Sequence, residues 1–323
     1  MKISVFSPQL NRVGEIYSWV SLAWETEYND VGSFSLEVRN TSDNIQLLKP
    51  FNYVKMDEDD TVMVIVSLKI QKNNIVVTGF SASYVLSKRI STEIISNVNA
   101  ETAIRNLIAN MQPWDKFEVG EAAGLSDVFA DQVSDKTILD YILRICKDTD
   151  IGFTTIKDGD RIKFVLYKPG VNLNGKFKAE YGNLGDEEYL VSEKAYCNVA
   201  IVGGQGEGDD RISVTVGDAE STGYLRREMY VDSRQTQKKD GESDASYRSR
   251  LQQAGLEKLA EAAKIEEFDF SIIGNGVSIG DIVTVKTSFA QIEARVMKMS
   301  VKSQNNSVRK IISVGEPLRV NRR

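Results

Sequence analysis

From residue 21 to residue 38 apolar and polar side chains alternate with the period of two expected of a half-buried strand. Leu22, Trp24, Thr26 and Tyr28 alternate with Ser21, Ala23, Glu25 and Glu27. Past the turn signal Asn29-Asp30-Val31-Gly32, Phe34, Leu36 and Val38 alternate with Ser35 and Glu37. Further strands are predicted around Tyr53 to Met56, Val62 to Ile70 and Ile75 to Gly79, with Asn73-Asn74 as a tight turn between the last two. The first ninety residues therefore read as a strand meander.

The period then changes. Asn99 can cap a helix carrying Ile104, Leu107, Ile108 and Met111 on one stripe, stopped by Pro113. Ser134 can cap a second, with Ile138, Ile142 and Ile145 facing one way. A hairpin follows from Gly152 to Ile156 and Arg161 to Tyr167, its turn at Lys157-Asp158-Gly159-Asp160. Helices packed on this small sheet would form an α+β insert, and core packing explains their stripes more simply than a cofactor site. Strands resume at Asn198 to Val202, Ile212 to Val216 and Glu228 to Asp232. A third helix is predicted from Ser246 to Ala263, with Leu251, Gly255 and Leu259 on one face. A mid-helix glycine costs about 1 kcal/mol relative to alanine, so close approach of another backbone would account for Gly255. The chain closes with strands at Asp269 to Ile273, Ile282 to Lys286, Ile292 to Val301 and Ser307 to Val314.

The expected fold class is thus mainly β with an α+β insert. Residues 1–92 would form a first β domain completed by 190–220, residues 93–188 the insert, and 221–318 a second β domain with one long helix. Residues 319–323, Arg-Val-Asn-Arg-Arg, are expected as a solvated basic tail. An internal echo supports two similar domains: strands centred on Val54, Ile65 and Val76 are matched by strands centred on Thr284, Val296 and Ile312. Each set runs short strand, long strand, strand.

Composition narrows the chemistry. With 323 residues, 41% of them hydrophobic and 27% charged, the chain can build more than one core. Its apolar runs are far shorter than the roughly 20 residues of a membrane span, and no membrane insertion is expected. The start, MKISVFSPQL, has no signal-peptide core, so folding in the cytoplasm of the producing cell is expected. A net charge of −6 with interspersed signs argues against holding nucleic acid through its phosphates. Cys146 and Cys197 are too few for a disulfide framework and read as small buried hydrophobes.

The sequence contains no histidine. That removes Ser-His-Asp and Cys-His catalysis, helical HExxH zinc sites and His general bases. Carboxylate-only chemistry survives, but Asp57-Glu58-Asp59-Asp60 and Gly185-Asp186-Glu187-Glu188 read as solvated turns. Gly203-Gly204-Gln205-Gly206-Glu207-Gly208 follows a strand but leads into the alternating Ile212 to Val216, whereas a phosphate loop must open a helix. It reads as a hairpin connection. No catalytic, cofactor or metal residues are assigned, and no cofactor is expected.

Several stretches in order carry a resemblance: Glu27 to Leu36, then Val77-Thr78-Gly79-Phe80, Tyr84 to Arg89, Val202 to Gly208 with Arg211, Arg227-Glu228 with Val231-Asp232, and Gly280-Asp281-Ile282-Val283-Thr284-Val285. Together they resemble the hub proteins of phage tails, namely the siphophage Gp37-like tail family and the related myophage baseplate hub. The motif positions are Gly32, Phe34, Gly79, Leu86, Arg89, Gly204, Gly206, Arg211, Gly280 and Asp281, all structural in that family. The resemblance implies two tail-tube-like β-barrel or sandwich domains plus the smaller helical-sheet domain. It also implies a homotrimer presenting six similar domains as a pseudo-sixfold ring, since duplication lets threefold symmetry meet sixfold. The implied partners are the tail tube or distal tail protein, a tip or spike protein, the tape measure, and DNA passing without specific binding. The implied location is the tail of a virion or phage-like particle assembled in the host cytoplasm. A charge of −6 per chain, hence −18 for three, suits a channel that must not hold DNA. Some such hubs run on into a lytic domain; none follows Arg323, so no lysin activity is expected of this chain.

Two other functions compete. A carbohydrate-recognising receptor module at a tail tip would use Trp19, Trp24 or Trp114 as stacking platforms, although Trp24 lies on an alternating strand face. A histidine-free hydrolase would need an Asp or Glu pair.

Overall fold

The alternation in the first ninety residues becomes a connected antiparallel sheet. The computed structural model describes residues 1–110, 116–178, 184–218, 220–239, 241–272, 276–287, 290–304 and 307–322. Seven strands come first: β1 (Ile3–Phe6), β2 (Arg12–Ile16), β3 (Ser21–Glu27), β4 (Ser33–Arg39), β5 (Tyr53–Met56), β6 (Val62–Ile70) and β7 (Asn74–Ser81). A short helix, α1 (Ser42–Leu47), lies between β4 and β5. The inward rows of these strands make one core: Leu22 and Trp24 of β3, Leu36 and Val38 of β4, Met63 and Ile65 of β6, Ile75 and Val77 of β7. The sequence pattern predicts β3 to β7 closely; β1, β2 and α1 add to it.

The insert packs into a second core that it shares with Tyr53, Val62 and Val64 of the first sheet. The insert contains β8 (Ile90–Ser91), β9 (Ile95–Asn99), α2 (Ala100–Asn110), β10 (Phe117–Val119), β11 (Val128–Val133), β12 (Lys136–Thr137), α3 (Ile138–Thr149), β13 (Gly152–Asp158) and β14 (Arg161–Tyr167). Ile104, Leu107 and Ile108 of α2 meet Ile138, Ile142 and Ile145 of α3 over Phe153 and Phe164 of the β13–β14 hairpin. Asn99 caps α2 as expected, its Oδ1 accepting from Thr102 N at 2.8 Å. The cap of α3 is Thr137, not Ser134: Asp135 turns the chain at φ 54°, β12 pairs with β8, and Thr137 Oγ1 then accepts from Asp140 N. Met111 and Pro113 lie outside the described residues. A buried carboxylate closes the insert, with Glu101 accepting from Ala123 N at 2.6 Å and Leu125 N at 2.7 Å.

The remaining elements are β15 (Val171–Lys178), β16 (Leu184–Ser192), β17 (Val199–Gly203), β18 (Ser213–Gly217), β19 (Glu228–Asp232), α4 (Asp244–Glu261), β20 (Ile265–Ile272), β21 (Ile282–Lys286), β22 (Ala290–Gln304) and β23 (Ser307–Arg322). Gly185 to Glu188 therefore lies within a strand, not a turn; charged residues are a common way to blunt an edge strand. Likewise 319–322 is no tail: it continues β23, with Val320 opposite Ile292 and Arg322 opposite Ala290.

Two compact units emerge. One comprises Met1–Glu187 with Asp269–Arg323, the other Glu188–Phe268, so the boundary falls inside β16 and β20. In the first unit a thirteen-stranded sheet runs β16-β20-β23-β22-β3-β4-β7-β6-β5-β1-β2, with β15 and β21 off this path. Its central join is between β22 and β3, where Val301 lies opposite Trp24. The second unit is a small sheet, β18-β17-β19, under α4. Residues 190–220 thus feed this separate sheet, and the sheet of residues 1–92 is extended by the C-terminal strands instead. The long helix likewise belongs to the second unit. Gly255 of α4 does mark a close approach, but to side chains and not to another backbone: a Cβ would sit 2.6 Å from the Val202 and Val216 methyls.

Candidate functional site

The positions singled out by sequence fall into three brackets. In the first, Phe34 lies between Trp24 on β3 and Gly79 on β7 in one cross-strand row. The Phe34 and Trp24 ring centroids are 5.6 Å apart. Gly79 has no room for a side chain: a Cβ would overlap the Val64 carbonyl oxygen and approach Phe34 Cε1 to 2.6 Å. Gly32, in the turn before β4, is similarly pressed against the Glu25–Thr26 backbone. Leu86 is fully buried in the insert core, while Arg89 is exposed and its carbonyl accepts from Ile138 N.

The second bracket is a knot around Gly280. Its φ is 86°, and a Cβ would lie 2.7 Å from the Tyr28 ring and 2.5 Å from Pro169 Cγ. The lack of a side chain lets Arg295 of β22 reach across, its Nη1 donating to Gly280 O at 2.6 Å. The same guanidinium pairs with Asp150 at the C-terminus of α3 and stands 5.0 Å from the Tyr28 ring centroid. Tyr28 Oη donates to Asp150 O at 2.9 Å. Burial, with the Asp150 charge beside it, pushes the Tyr28 phenol well above its usual range. Asp281 fixes the adjoining loop, accepting from Asn172 Nδ2 at 2.7 Å and Ser278 N at 3.0 Å. Tyr28, Asp150 and Arg295 were not singled out by sequence. Arg295 gave no signal, since it falls with Glu293 on the polar row that alternates with Ile292, Ala294 and Val296.

The third bracket lies in the second unit. Gly204 leaves room for the Tyr247 hydroxyl, 2.6 Å from where a Cβ would be, and Tyr247 Oη accepts from Gln205 N at 2.8 Å. Gly206 takes φ 105°. Arg211 folds back, Nε donating to Gly206 O at 3.2 Å and Nη1 to the Tyr230 hydroxyl at 2.9 Å. The glycine-rich stretch is a connection from β17 to β18, as its sequence context predicts.

The Asp57 to Asp60 cluster is occupied structurally. Asp59 accepts from Trp24 Nε1 and from Thr61 N, both at 2.8 Å. Asp60 pairs with Lys55 at 3.0 Å and Glu58 with the N-terminal amine at 3.4 Å. They edge a cavity of about 280 Å³ lined mainly by apolar groups, among them Met56, Ile279 and Met299. Among the described residues no group of three or more Cys, Asp or Glu could hold a metal ion, and no helix is long and apolar enough to cross a membrane. Trp24 is 1% exposed and offers no stacking face, while Trp19 is half-buried and donates to Ser303 Oγ at 3.0 Å. Trp114 lies outside the described residues. Cys146 is buried as expected, which pushes its thiol up, whereas Cys197 is half-buried.

A family model described as Siphovirus ReqiPepy6 Gp37-like protein matches residues 2–316. Among solved structures, the fold is similar to a tail protein from Neisseria meningitidis MC58, with TM-score 0.58, 12% identity, and 97% of this chain and 96% of that one covered. It is also similar to the 43 kDa tail protein of prophage MuSo2 from Shewanella oneidensis, with TM-score 0.57, 11% identity and 98% of both chains covered. A third is prophage tail protein gp18 from Listeria monocytogenes EGD-e, with TM-score 0.55, 13% identity, and 99% of this chain and 96% of that one covered. At these identities the likeness concerns the fold. No curated protein matches the sequence.

Proposed function

Because the chain belongs to the Siphovirus ReqiPepy6 Gp37-like family, we propose that it is the structural hub of a phage or phage-like tail tip or baseplate. Three copies close into a pseudo-sixfold ring that joins the tail tube to a tip or spike protein and lets DNA or the tape measure through. It is not an enzyme, and it resides in the tail of the particle.

The observation that carries this reading is the open-ended sheet. Eight strands, β16-β20-β23-β22-β3-β4-β7-β6, run through both halves of the first unit. At one end β6 is only half covered: β5 pairs with Val62 to Val64, and a bulge between Ile65 and Ser67 turns the rest away. Among the described residues no strand pairs with the outer edge of 66–70, where Val66 and Ile70 are 36% and 51% exposed. At the other end stands β16. An open apolar edge is an aggregation hazard unless covered, and a head-to-tail contact that closes covers every such edge.

The sixfold element rests on the echo between β5-β6-β7 and β21-β22-β23. Each set is a consecutive antiparallel meander with a bulged middle strand. On this reading the first tube-like domain is β1 to β7, and the second is β15, β16 and β20 to β23. The insert and the second unit are outgrowths between them.

Light scattering after size exclusion, with negative-stain images of the same peak, tests the proposal. A species near three times 36.0 kDa with a central hole is expected. A chain that stays monomeric alone and also when mixed with the tail-tube protein of its own particle would overturn it.

A further inference from the structure

The open face of the second unit's small sheet carries a feature that a ring hub does not need. Strand register places Thr215, Ile201 and Tyr230 in one row, with Ser213, Gly203 and Asp232 in the next. The opposite face, through Ala200, Val202 and Val231, packs against Tyr247 and Leu251 of α4. On the open face Tyr230 is 55% exposed, yet it is held from two sides. Gly203 has no Cβ, and one placed there would overlap the Tyr230 hydroxyl and come within 2.8 Å of Cζ. Arg211, itself braced on Gly206 O, donates to that hydroxyl at 2.9 Å. Holding a solvent-facing ring in one pose removes an ordering cost at binding. A ring that only decorated the surface would have no use for the bracket.

We infer that this face is a saccharide-binding platform, with Tyr230 stacking under the apolar face of a neutral pyranose. The surrounding groups select that ligand. Arg234 grips Asp232 through Nε at 2.9 and 3.0 Å, and Arg226 Nε holds Glu228 at 2.6 Å. Each of these carboxylates is thus held by an arginine, and Arg211 is engaged with Gly206 O and the Tyr230 hydroxyl, so all three guanidiniums already have acceptors before a phosphate or an acidic peptide could arrive. The exposed Ser213 and Thr215, with these fixed carboxylate and guanidinium edges, present alternating acceptors and donors at the height of sugar hydroxyls. An apolar protein partner finds little here, since Tyr230 is the only large exposed hydrophobic residue on these two rows. One aromatic platform ringed by a few placed polar groups is the usual make-up of a small-ligand site.

The test uses the full chain with soluble neutral oligosaccharides built on glucose, galactose and N-acetylglucosamine, each at about 10 mM, where a weak single-platform site of millimolar affinity is well occupied. Saturation-transfer NMR is expected to show transfer to ring C–H protons of at least one sugar. Tyr230→Ala should weaken binding about tenfold or more, the scale on which one stacking contact acts. Tyr230→Phe retains it, and Tyr224→Ala, at an exposed ring outside these rows, leaves it unchanged. Circular dichroism on each variant confirms that α4 and the sheet remain folded. Absence of transfer from every sugar, transfer that survives Tyr230→Ala, or a face found to join two copies of the chain would each overturn the inference. None of these outcomes depends on whether the ring forms.

Discussion

Replacing Arg295 with methionine tests whether the knot around Gly280 fastens the C-terminal strands to the N-terminal hairpin and the insert. Methionine keeps much of the apolar stem and removes only the guanidinium. Arg295 is 8% exposed, so its bond to Gly280 O is a desolvated, charge-assisted one, a class worth about 1.5–3 kcal/mol. Its contact with the Tyr28 ring adds about 0.5–2 kcal/mol in a desolvated setting. The pair with Asp150 adds little, because the Asp150 side chain is 47% exposed and such pairs are worth about 0–1 kcal/mol. The expected loss is about 3–4 kcal/mol. Tyr28→Phe should cost about 1 kcal/mol, the worth of one neutral hydrogen bond to Asp150 O. Because both side chains meet at Asp150, the double variant should cost less than the sum, by about 0.5 kcal/mol or more.

Equilibrium urea unfolding followed by tryptophan fluorescence reads these values, since buried Trp24 lies in the same unit. Lys298→Met serves as the control, removing a partly exposed pair with Glu25 at 2.7 Å and expected to cost under about 1 kcal/mol. If Arg295→Met costs no more than this control, or if the double-variant effects simply add, the knot is not the fastening described.

Other expectations follow from single contacts. Gly79→Ala should destabilise by about 2 kcal/mol or more through overpacking against Val64 O and Phe34. Gly159→Ala, where φ is 55° but nothing lies within 4 Å, should cost only about 1–2 kcal/mol; both are read by thermal unfolding. Glu101→Ala should cost about 2–4 kcal/mol, because it strips two buried backbone donors of their charged acceptor, and hydrogen exchange should rise first at Ala123 and Leu125. Two neighbouring glutamates should respond oppositely to pH. Burial tends to raise the Glu25 carboxyl, but its bond and charge contact with Lys298 and the Ser300 hydroxyl outweigh it, so its pKa falls below 4.5. Its contribution is present above pH 4.5 and is lost as pH falls through the folded value. Burial raises Glu27 above 4.5, aided by Asp30 and Glu25 and only partly opposed by Lys298. That charge costs stability at neutral pH, a cost relieved as pH drops through the raised value. Glu25→Gln should therefore destabilise and Glu27→Gln stabilise at pH 7, by under about 1 kcal/mol each given their partial exposure, each difference shrinking as pH falls through that group's folded value. Urea midpoints measured from pH 3 to 8 check the signs.

Period-two alternation was enough to place β3 to β7, β13, β14, β19 and β21 within a residue or two, because each buries one face of a sheet. Asn99 was legible as a cap because its side chain acts locally; Ser134 misled because Asp135 in a left-handed turn moves the helix start to Thr137. The Gly185 to Glu188 and 319–322 segments were read from charge as turn and tail. Both are strands, since what fixes them is pairing with residues distant in sequence. The same holds for the β22–β3 join, where Ser300 lies opposite Glu25 across 275 residues of chain. Periodicity reports which face of an element is buried, but not against what.

The trace such distant joins do leave is a local rule broken without a local reason. Arg295 keeps to the polar row of its strand yet is buried, Gly79 is a glycine in the middle of a strand, and Gly203 is one at a strand end. Each break costs stability by itself, and each is explained by a partner arriving from elsewhere: Gly280 with Tyr28, Val64 with Phe34, and Tyr230 with Arg211. The first two partnerships close on themselves inside the fold, with every group buried or bonded. The third ends on a ring that is 55% exposed to solvent. Since consistent folds break local rules mainly where function or a distant contact requires it, that remaining open face is where a ligand is to be sought.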